Sequence, residues 1–295
     1  MIKCMTHPST PNLQACNAFF YYADVDAAWA FYRDTLGLET VVDYGFAKIM
    51  RVTNASYLTL VDANSGMHAV DEPKSVAIAL ITDQLDGWHE YLTAADVPFR
   101  FPFNPKVDSA HDGFVVLDPE GYYLEFERFN PHAENVELMP QLDQLASVYP
   151  THGSRPSNLG IKASVLWLYH RDLPKMEQFY ETLFGVNLLV DQGWAKVYSI
   201  VGGGYLGLVE SERGMHKATD KSAVTVSFFT NDVHAWLERA KATDGFKLRT
   251  PEVTDESGLV HIFVGYDPEG YFLEWDTFLD REPNQKLLTQ LPTQR

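Results

Sequence analysis

Apolar and polar positions alternate along this chain in an order that predicts short strands and single helices. An alternating segment at 17–22 predicts a strand, and the apolar positions of 25–36 recur with helical spacing. Gly37 suits the left-handed position that follows a helix. Three short β-rich runs then complete a βαβββ unit: 39–43, 46–53 and 56–61.

The same order of elements follows a second time. We expect a strand at 76–81, a helix at 85–95, and closing strands at 114–117 and 122–127 that an Asp-Pro-Glu-Gly turn connects. Three sequential short strands for each helix favour an α+β fold with the helices on one face of the sheet. The other face would then be free to curl around a cleft.

The second half of the chain repeats the first. A shift of 148 residues pairs Asp24 with Asp172 and the Gly-Met-His at 66–68 with that at 214–216, and a shift of 149 pairs the DPEGY at 118–122 with that at 267–271. The predicted domains are therefore 14–130 and 161–279. We interpret the proline-containing segment 131–160 as a linker and 280–295 as a polar, peripheral tail.

Composition and charge narrow the classes of partner. Hydrophobic residues make up 45% of the 295 residues, which is typical of a globular protein. The net charge of −17 argues against nucleic acid and anionic membranes as partners. No apolar run reaches the roughly 20 residues of a membrane span, and no signal-peptide pattern opens the chain. With only Cys4 and Cys16, we expect reduced thiols and a cytoplasmic location.

The repeated motifs resemble a known superfamily. Four βαβββ units, the segments FYRDTLGL and FYETLFGV, and the endings DPEGYYLEF and DPEGYFLEW are similar to those of the vicinal oxygen chelate (VOC) superfamily. This superfamily includes glyoxalases, fosfomycin and bleomycin resistance proteins, and extradiol dioxygenases. The resemblance covers about 14–279 and implies two tandem VOC domains, each with two units that form a curled sheet around a cleft. One scaffold hosts unrelated reactions, so the chemistry must be argued from the site.

The resemblance also implies where a metal would bind. Metal-dependent members use a His on the first strand of each of two partner units and a Glu on a last strand. If the units pair within each half, these positions fall on two sets of three residues: Asn17, Ala77 and Glu125, and Val165, Thr225 and Glu274. Neither set contains an imidazole, so we expect no cofactor. If Fe, Mn or Zn is bound after all, Glu125 or Glu274 is the expected ligand.

Four residues are candidates for catalysis. Glu125 and Glu274 would face the clefts as general bases with raised pKa values, or they are hydrogen-bonded remnants of an ancestral site. The acids two positions further along each strand would be solvated. His68 and His216 each follow Gly-Met between paired units. They are candidates for a general acid at the cleft mouth, although a turn that uses a histidine for hydrogen bonding explains their recurrence equally well.

Ligand-binding candidates are mainly aromatic. The presumed cleft faces carry Phe19 and Tyr21 in one half and Trp167, Tyr169 and Phe229 in the other, while Asn17 and Thr225 add polar groups. These rings would form a pocket for a flat or apolar small molecule, or they pack as ordinary core.

Three functions remain open from the sequence. The protein binds a small, partly aromatic organic molecule without a metal; or it is a VOC-type lyase, isomerase or ring-cleaving dioxygenase; or it is a scaffold whose clefts are filled by its own side chains. The sequence leaves open whether it is an enzyme and whether it forms a homo-oligomer.

Overall fold

The first repeat contains two βαβββ units. The structure, a computed structural model, describes residues 10–292. The first unit comprises β1 Ala15–Tyr22, α1 Val25–Ala30, β2 Glu39–Asp43, β3 Ala47–Arg51 and β4 Ser56–Asp62. The second comprises β5 Val76–Ile81, α2 Leu85–Ala94, β6 Phe99–Phe101, β7 His111–Leu117 and β8 Tyr123–Phe129. The helix predicted at 25–36 is confirmed, but it continues after α1 as a π-helical segment, Phe31–Thr35, before Gly37 ends it with a φ of 62°.

The second repeat contains the third and fourth units. A short α3, Met139–Leu142, lies between the repeats. The third unit comprises β9 Ala163–His170, α4 Leu173–Phe184, β10 Leu188–Asp191, β11 Ala195–Val201 and β12 Gly204–Glu210. The fourth comprises β13 Val224–Phe229, α5 Val233–Ala242, β14 Lys247–Leu248, β15 Thr254–Glu256, β16 Val260–Tyr266 and β17 Phe272–Phe278, and α6 Gln285–Gln290 follows. The predicted α+β class with helices and mixed sheets is confirmed.

Each sheet combines two units, but one unit comes from each repeat. The nine-stranded sheet joins the first and fourth units through antiparallel β1 and β13, with Asn17 opposite Ser227. The eight-stranded sheet joins the second and third units through β5 and β9, with Ala77 opposite Trp167. The pairing of units within each half, on which the two sets of metal positions depended, is therefore wrong. Sequence similarity identifies equivalent units but does not identify which units pair.

The helix-facing sides of both sheets share one continuous hydrophobic core. Val76, Ile78 and Leu80 belong to it, as do Val224, Val226 and Phe228, so the predicted strand phase is confirmed. His170 also lies on this side and is fully buried. Neither ring nitrogen of His170 has a hydrogen-bond partner within residues 10–292, which is unusual for a buried polar side chain. Burial lowers the pKa of His170 to about 3, so the ring is neutral.

Two buried tyrosines join the sheets. The Tyr122 hydroxyl accepts a hydrogen bond from the Tyr21 amide at 2.9 Å and donates to the Ala223 carbonyl at 2.6 Å. The equivalent Tyr271 hydroxyl accepts from the Tyr169 amide at 2.9 Å and donates to the Ser75 carbonyl at 2.6 Å. Each tyrosine lies in the turn before the last strand of a unit in one sheet. Its hydroxyl group therefore links that turn to the ends of two central strands of the other sheet.

The segments interpreted as a linker and a peripheral tail are partly core. Leu138 and Leu142 pack against the cleft face of the eight-stranded sheet, and Leu287 and Leu291 pack against that of the nine-stranded sheet. The interpretation of the tail as peripheral is wrong for 285–291. The amide of Asn284 donates to the Leu259 and Leu279 carbonyls, both at 2.9 Å, and this holds the tail across the sheet end.

Two expectations from the sequence concern the environment of the chain. Cys16 has a free thiol, and Cys4 lies outside the described residues. No helix within residues 10–292 is long and apolar enough to cross a membrane.

Candidate functional site

The face of each sheet away from the helices forms a cleft. Cleft B, on the eight-stranded sheet, is a cavity of about 270 Å³. Its lining is mainly aromatic and aliphatic and includes acidic, basic and amide side chains: Phe101, His111, Glu125, Glu127, Phe129, Trp167, Tyr169, Gln192, Trp194, Arg213 and Met215 among others. A concave apolar surface with a few convergent polar groups is typical of a small-molecule site.

Cleft B contains a carboxylate pair with a cationic partner. Glu125 and Glu127 are two apart on β8 and both line the cleft, and Nδ1 of His111 lies 2.5 Å from Oε1 of Glu127. Hydrogen bonding to Glu127 raises the pKa of His111 to about 9. Burial, followed by repulsion from Glu127, raises the pKa of Glu125 to about 8. At neutral pH, Glu125 can therefore hold a proton beside a Glu127–His111 ion pair.

A glycine makes room for the Trp167 ring of cleft B. Trp167 on β9 lies beside Gly207 on β12, and a Cβ added at Gly207 would meet the indole ring at 2.0 Å. The equivalent pair in the other sheet is Phe19 beside Thr59. A smaller ring there leaves room for a side chain, so the two clefts differ in shape at this point.

Cleft A, on the nine-stranded sheet, is a cavity of about 300 Å³. Its lining consists of aromatic and aliphatic residues together with three acids: Phe19, Tyr21, Tyr44, Phe46, Ile49, Met67, Glu256, Val260, Glu274, Asp276 and Phe278 among others. Both cavities are open, so the scaffold hypothesis, which expected clefts filled by their own side chains, is not supported by the described residues.

The acids of cleft A lie close together on β17. Glu274 and Asp276 are 6% and 3% exposed. Burial and the neighbouring Asp276 raise the pKa of Glu274 well above its ordinary value. Burial also raises the pKa of Asp276 to about 6, although the Ser227 hydroxyl donates a hydrogen bond to it. The expectation that these outer acids are solvated is wrong for Asp276 and for Glu127, which is 1% exposed.

Three predicted ligand-binding residues contribute to the walls behind cleft A. Asn17 is buried and accepts a hydrogen bond from the Thr59 hydroxyl at 3.1 Å. The Thr225 hydroxyl lies 2.7 Å from that of Tyr21, and Phe229 packs against Tyr57. These three do not line the cavity, whereas Phe19 and Tyr21 do. The assignment of Phe229 and Thr225 to the cleft of Trp167 and Tyr169 is wrong, because β13 belongs to the other sheet.

The two repeated histidines pack behind cleft tyrosines. His68 contacts the ring of Tyr21 edge-on at 5.0 Å, and its Nδ1 lies 2.7 Å from Glu72. His216 contacts Tyr169 at 5.1 Å and Tyr123 at 4.0 Å. Burial lowers the pKa of His216 to about 4. Neither histidine is part of the cavity linings, so a role in proton transfer stays a prediction and their contacts support the tyrosines.

The residues present do not fit a two-histidine, one-carboxylate metal site. With the observed pairing, the family positions regroup as Asn17, Thr225 and Glu274 in cleft A, and as Ala77, Val165 and Glu125 in cleft B. Cleft B does contain His111, but that ring bonds to Glu127. Within residues 10–292, no three His, Cys, Asp or Glu side chains lie together in a way that could hold a metal ion.

Sequence reasoning missed several residues that line the clefts. The Arg213 guanidinium lies 5.2 Å from the centre of the Trp194 ring at the mouth of cleft B. Phe46, the counterpart of Trp194 in cleft A, is 50% exposed. His111 has no histidine counterpart in the other repeat, where Val260 occupies the equivalent position, so the duplication does not single it out. A hairpin through the Asp-Pro-Glu-Gly turn places His111 opposite Phe129, on the strand that pairs with the strand of Glu125 and Glu127. This predicted pairing is the sequence signal that could have identified His111.

Comparisons with known proteins agree with this architecture. A putative dioxygenase from Bacillus subtilis superposes with a TM-score of 0.63 at 15% identity, over 92% of this chain and 86% of that one. Glyoxalase I from Zea mays superposes with a TM-score of 0.61 at 17% identity, over 95% of both chains. Identities this low show the fold alone, and no curated protein matches the sequence significantly. The family model for the Glyoxalase/Bleomycin resistance protein/Dioxygenase superfamily matches twice, at 16–126 and 163–275. The chain therefore belongs to this superfamily, the vicinal oxygen chelate superfamily, as a tandem duplication.

Proposed function

We propose that this protein binds a small, partly aromatic organic molecule in cleft B, without a two-histidine, one-carboxylate metal site. The observation that carries the proposal is an open cavity of about 270 Å³ walled by Trp167, Tyr169 and Trp194. Aromatic walls bury large apolar area and favour flat rings, while a few polar groups orient the ligand. Glu125, Gln192 and Arg213 offer such groups in cleft B.

Tryptophan fluorescence tests this proposal in the full-length protein. Coumarin is a suitable neutral two-ring probe, because a ligand in cleft B would contact Trp167 and Trp194. We expect saturable quenching, and we expect Trp194→Ala to weaken binding at least fivefold. Phe46→Ala, the corresponding change in cleft A, is the matched control and should leave the titration unchanged. Absence of saturable quenching, or equal affinity in Trp194→Ala, would contradict the proposal.

Metal analysis tests the second half of the proposal. Protein purified without added chelator should contain far less than one equivalent of iron, manganese or zinc per chain. One equivalent that Glu125→Gln or Glu274→Gln removes would show that a cleft glutamate is a metal ligand, and metal-free binding would then be wrong.

A second candidate function is proton transfer by a VOC-type lyase or isomerase in cleft B. The specific observation is that Glu125 lies beside the Glu127–His111 pair inside an aromatic cavity, so a base and a charged partner face the same space. The ionised form of Glu125, which predominates above its raised pKa of about 8, can remove a proton from a bound carbon acid.

Deuterium exchange separates binding from catalysis. Aryl ketones with an acidic C–H beside the carbonyl are incubated in D₂O, and NMR records exchange at that carbon. Exchange by the wild type that Glu125→Gln abolishes, while Glu274→Gln retains it, supports catalysis in cleft B. Exchange at the same rate in Glu125→Gln would remove this glutamate from the mechanism.

A further inference from the structure

The two clefts correspond position by position, yet they differ in charge. In cleft B, His111 and Arg213 are the cationic side chains of the lining. The repeat places Val260 and Ser65 at the equivalent positions of cleft A, and both residues line it. Each positive charge of one cleft is therefore replaced by a neutral side chain in the other.

Cleft A keeps the acids and adds one. Glu274 and Asp276 correspond to Glu125 and Glu127, and Glu256 on β15 also lines the cavity. No Lys, Arg or His belongs to the described lining of cleft A. Glu274 is 6% exposed and forms no ion pair with a basic side chain of residues 10–292. Burial favours the protonated form of Glu274, which shares a hydrogen bond with Asp276, and a cation entering cleft A would stabilise the ionised form of this acid pair.

Aromatic rings surround these acids. Phe19, Tyr21, Tyr44, Phe46 and Phe278 line cleft A. The hydroxyl of Tyr21 interacts with that of Thr225, and the hydroxyl of Tyr44 donates to the Asn284 side chain. Because both hydroxyl groups already have partners, these tyrosines contribute mainly ring surface to the cavity. Aromatic faces attract organic ammonium groups through their quadrupoles.

We propose that cleft A binds a small organic cation, an aryl- or alkylammonium compound, through the β17 carboxylates and the surrounding rings. This inference rests on the proposed function, since it names the ligand class of the second cleft of the same binding protein. The net charge of −17 acts in the same direction, because it raises the local concentration of cations near an acidic opening.

The basic groups near cleft A are few and solvated or paired. Arg249 is exposed at the rim, where its guanidinium lies 3.6 Å from the Met67 sulfur and 5.6 Å from the Phe272 ring. His68, behind Tyr21, is held by Glu72. Solvent screens an exposed charge strongly, so Arg249 opposes a bound cation much less than a buried charge would.

Calorimetry with three probes of similar size tests the charge preference. The wild-type protein is titrated at pH 7.5 with benzyltrimethylammonium, benzyl alcohol and benzoate. We expect cleft A to bind the cation at least tenfold more tightly than the alcohol and to exclude benzoate, whereas any benzoate bound in cleft B would be recognised by quenching of the tryptophans that line that cleft. Tryptophan emission should not change, because no tryptophan lines cleft A in the described part of the chain.

Two variants place the cation in cleft A. Ser65→Arg introduces the charge that Arg213 gives cleft B, at an exposed position, and should weaken cation binding at least tenfold without loss of thermal stability. Glu274→Gln should weaken it similarly. Arg213→Ser is the matched control in cleft B and should leave cation affinity unchanged.

The opposite results would overturn the inference. These are equal affinity for benzyl alcohol and the cation, or full cation affinity in a folded Ser65→Arg variant. Coumarin binding in cleft B reports separately on the proposed function, so a failure of cation binding alone leaves that function standing.

Discussion

The Gly207–Trp167 contact determines the shape of cleft B, and substitution of the glycine should test this directly. In Gly207→Ala, the new Cβ would lie 2.0, 2.4 and 2.7 Å from Cε3, Cζ3 and Cδ2 of the Trp167 ring. Carbon atoms in contact require about 3.5–4.0 Å, so the ring must move by more than 1 Å, roughly. The space on the other side of the ring is the cavity, so the ring should move into it.

The expected cost is about 1–3 kcal/mol of the free energy of unfolding, because overpacking forces a buried ring away from its preferred position. In a chain of this size, roughly 2–4 °C of Tm accompany each kcal/mol. Denaturant unfolding and differential scanning calorimetry measure this loss. Coumarin binding in cleft B should weaken at the same time, since the displaced indole occupies ligand space.

A control and a rescue variant make the prediction specific. Gly202→Ala, in the hairpin that precedes β12, adds a Cβ with nothing within 4 Å and should change neither property. Because the equivalent pair in cleft A is Phe19 beside Thr59, Trp167→Phe should relieve the clash. The double variant should therefore be more stable than the sum of the single losses predicts, by about 1 kcal/mol or more. Additive losses, or an unaltered Gly207→Ala variant, would refute this account of the cleft.

Three further predictions concern stability. Burial lowers the pKa of His170 from about 6.5 to about 3, so the free energy of unfolding should decrease as the pH falls below 6.5, by about 3 kcal/mol at pH 4.5. Urea unfolding at several pH values should show a weaker pH dependence in His170→Leu than in the wild type. The same pH dependence in both proteins would contradict this prediction. Tyr122→Phe removes the hydroxyl that joins the central strands and should lower the free energy of unfolding by about 1–3 kcal/mol, whereas a loss below 0.5 kcal/mol would indicate that the junction is dispensable. Leu287→Ala truncates a fully buried side chain of the C-terminal segment and should lower the free energy of unfolding by about 2–5 kcal/mol. Lys286→Ala, which changes the exposed neighbouring side chain, is the control and should not cause a loss of this size.

Some features of this protein follow from the sequence because they depend on local periodicity. Strand phase is one of them: successive side chains point to opposite faces, so the helix-facing residues of β5 and β13 could be assigned without coordinates. The duplication is another such feature, since the same motifs recur in the same order at offsets of 148 and 149 residues and therefore predict two copies of the same units.

The composition of each cleft was decided only by the tertiary structure. Four equivalent units can pair in more than one way, and every pairing satisfies the same hydrophobic pattern. The observed pairing of the first unit with the fourth places Asn17 with Thr225 and Glu274, and it separates Asn17 from Ala77. The buried roles of Leu138 and Leu287 also escaped prediction, because a few leucines in a polar segment have no periodicity to detect. Periodicity determines which face of a strand is buried, whereas long-range packing determines which strand lies beside it, and here only packing brings the acids, rings and cations of each cleft together.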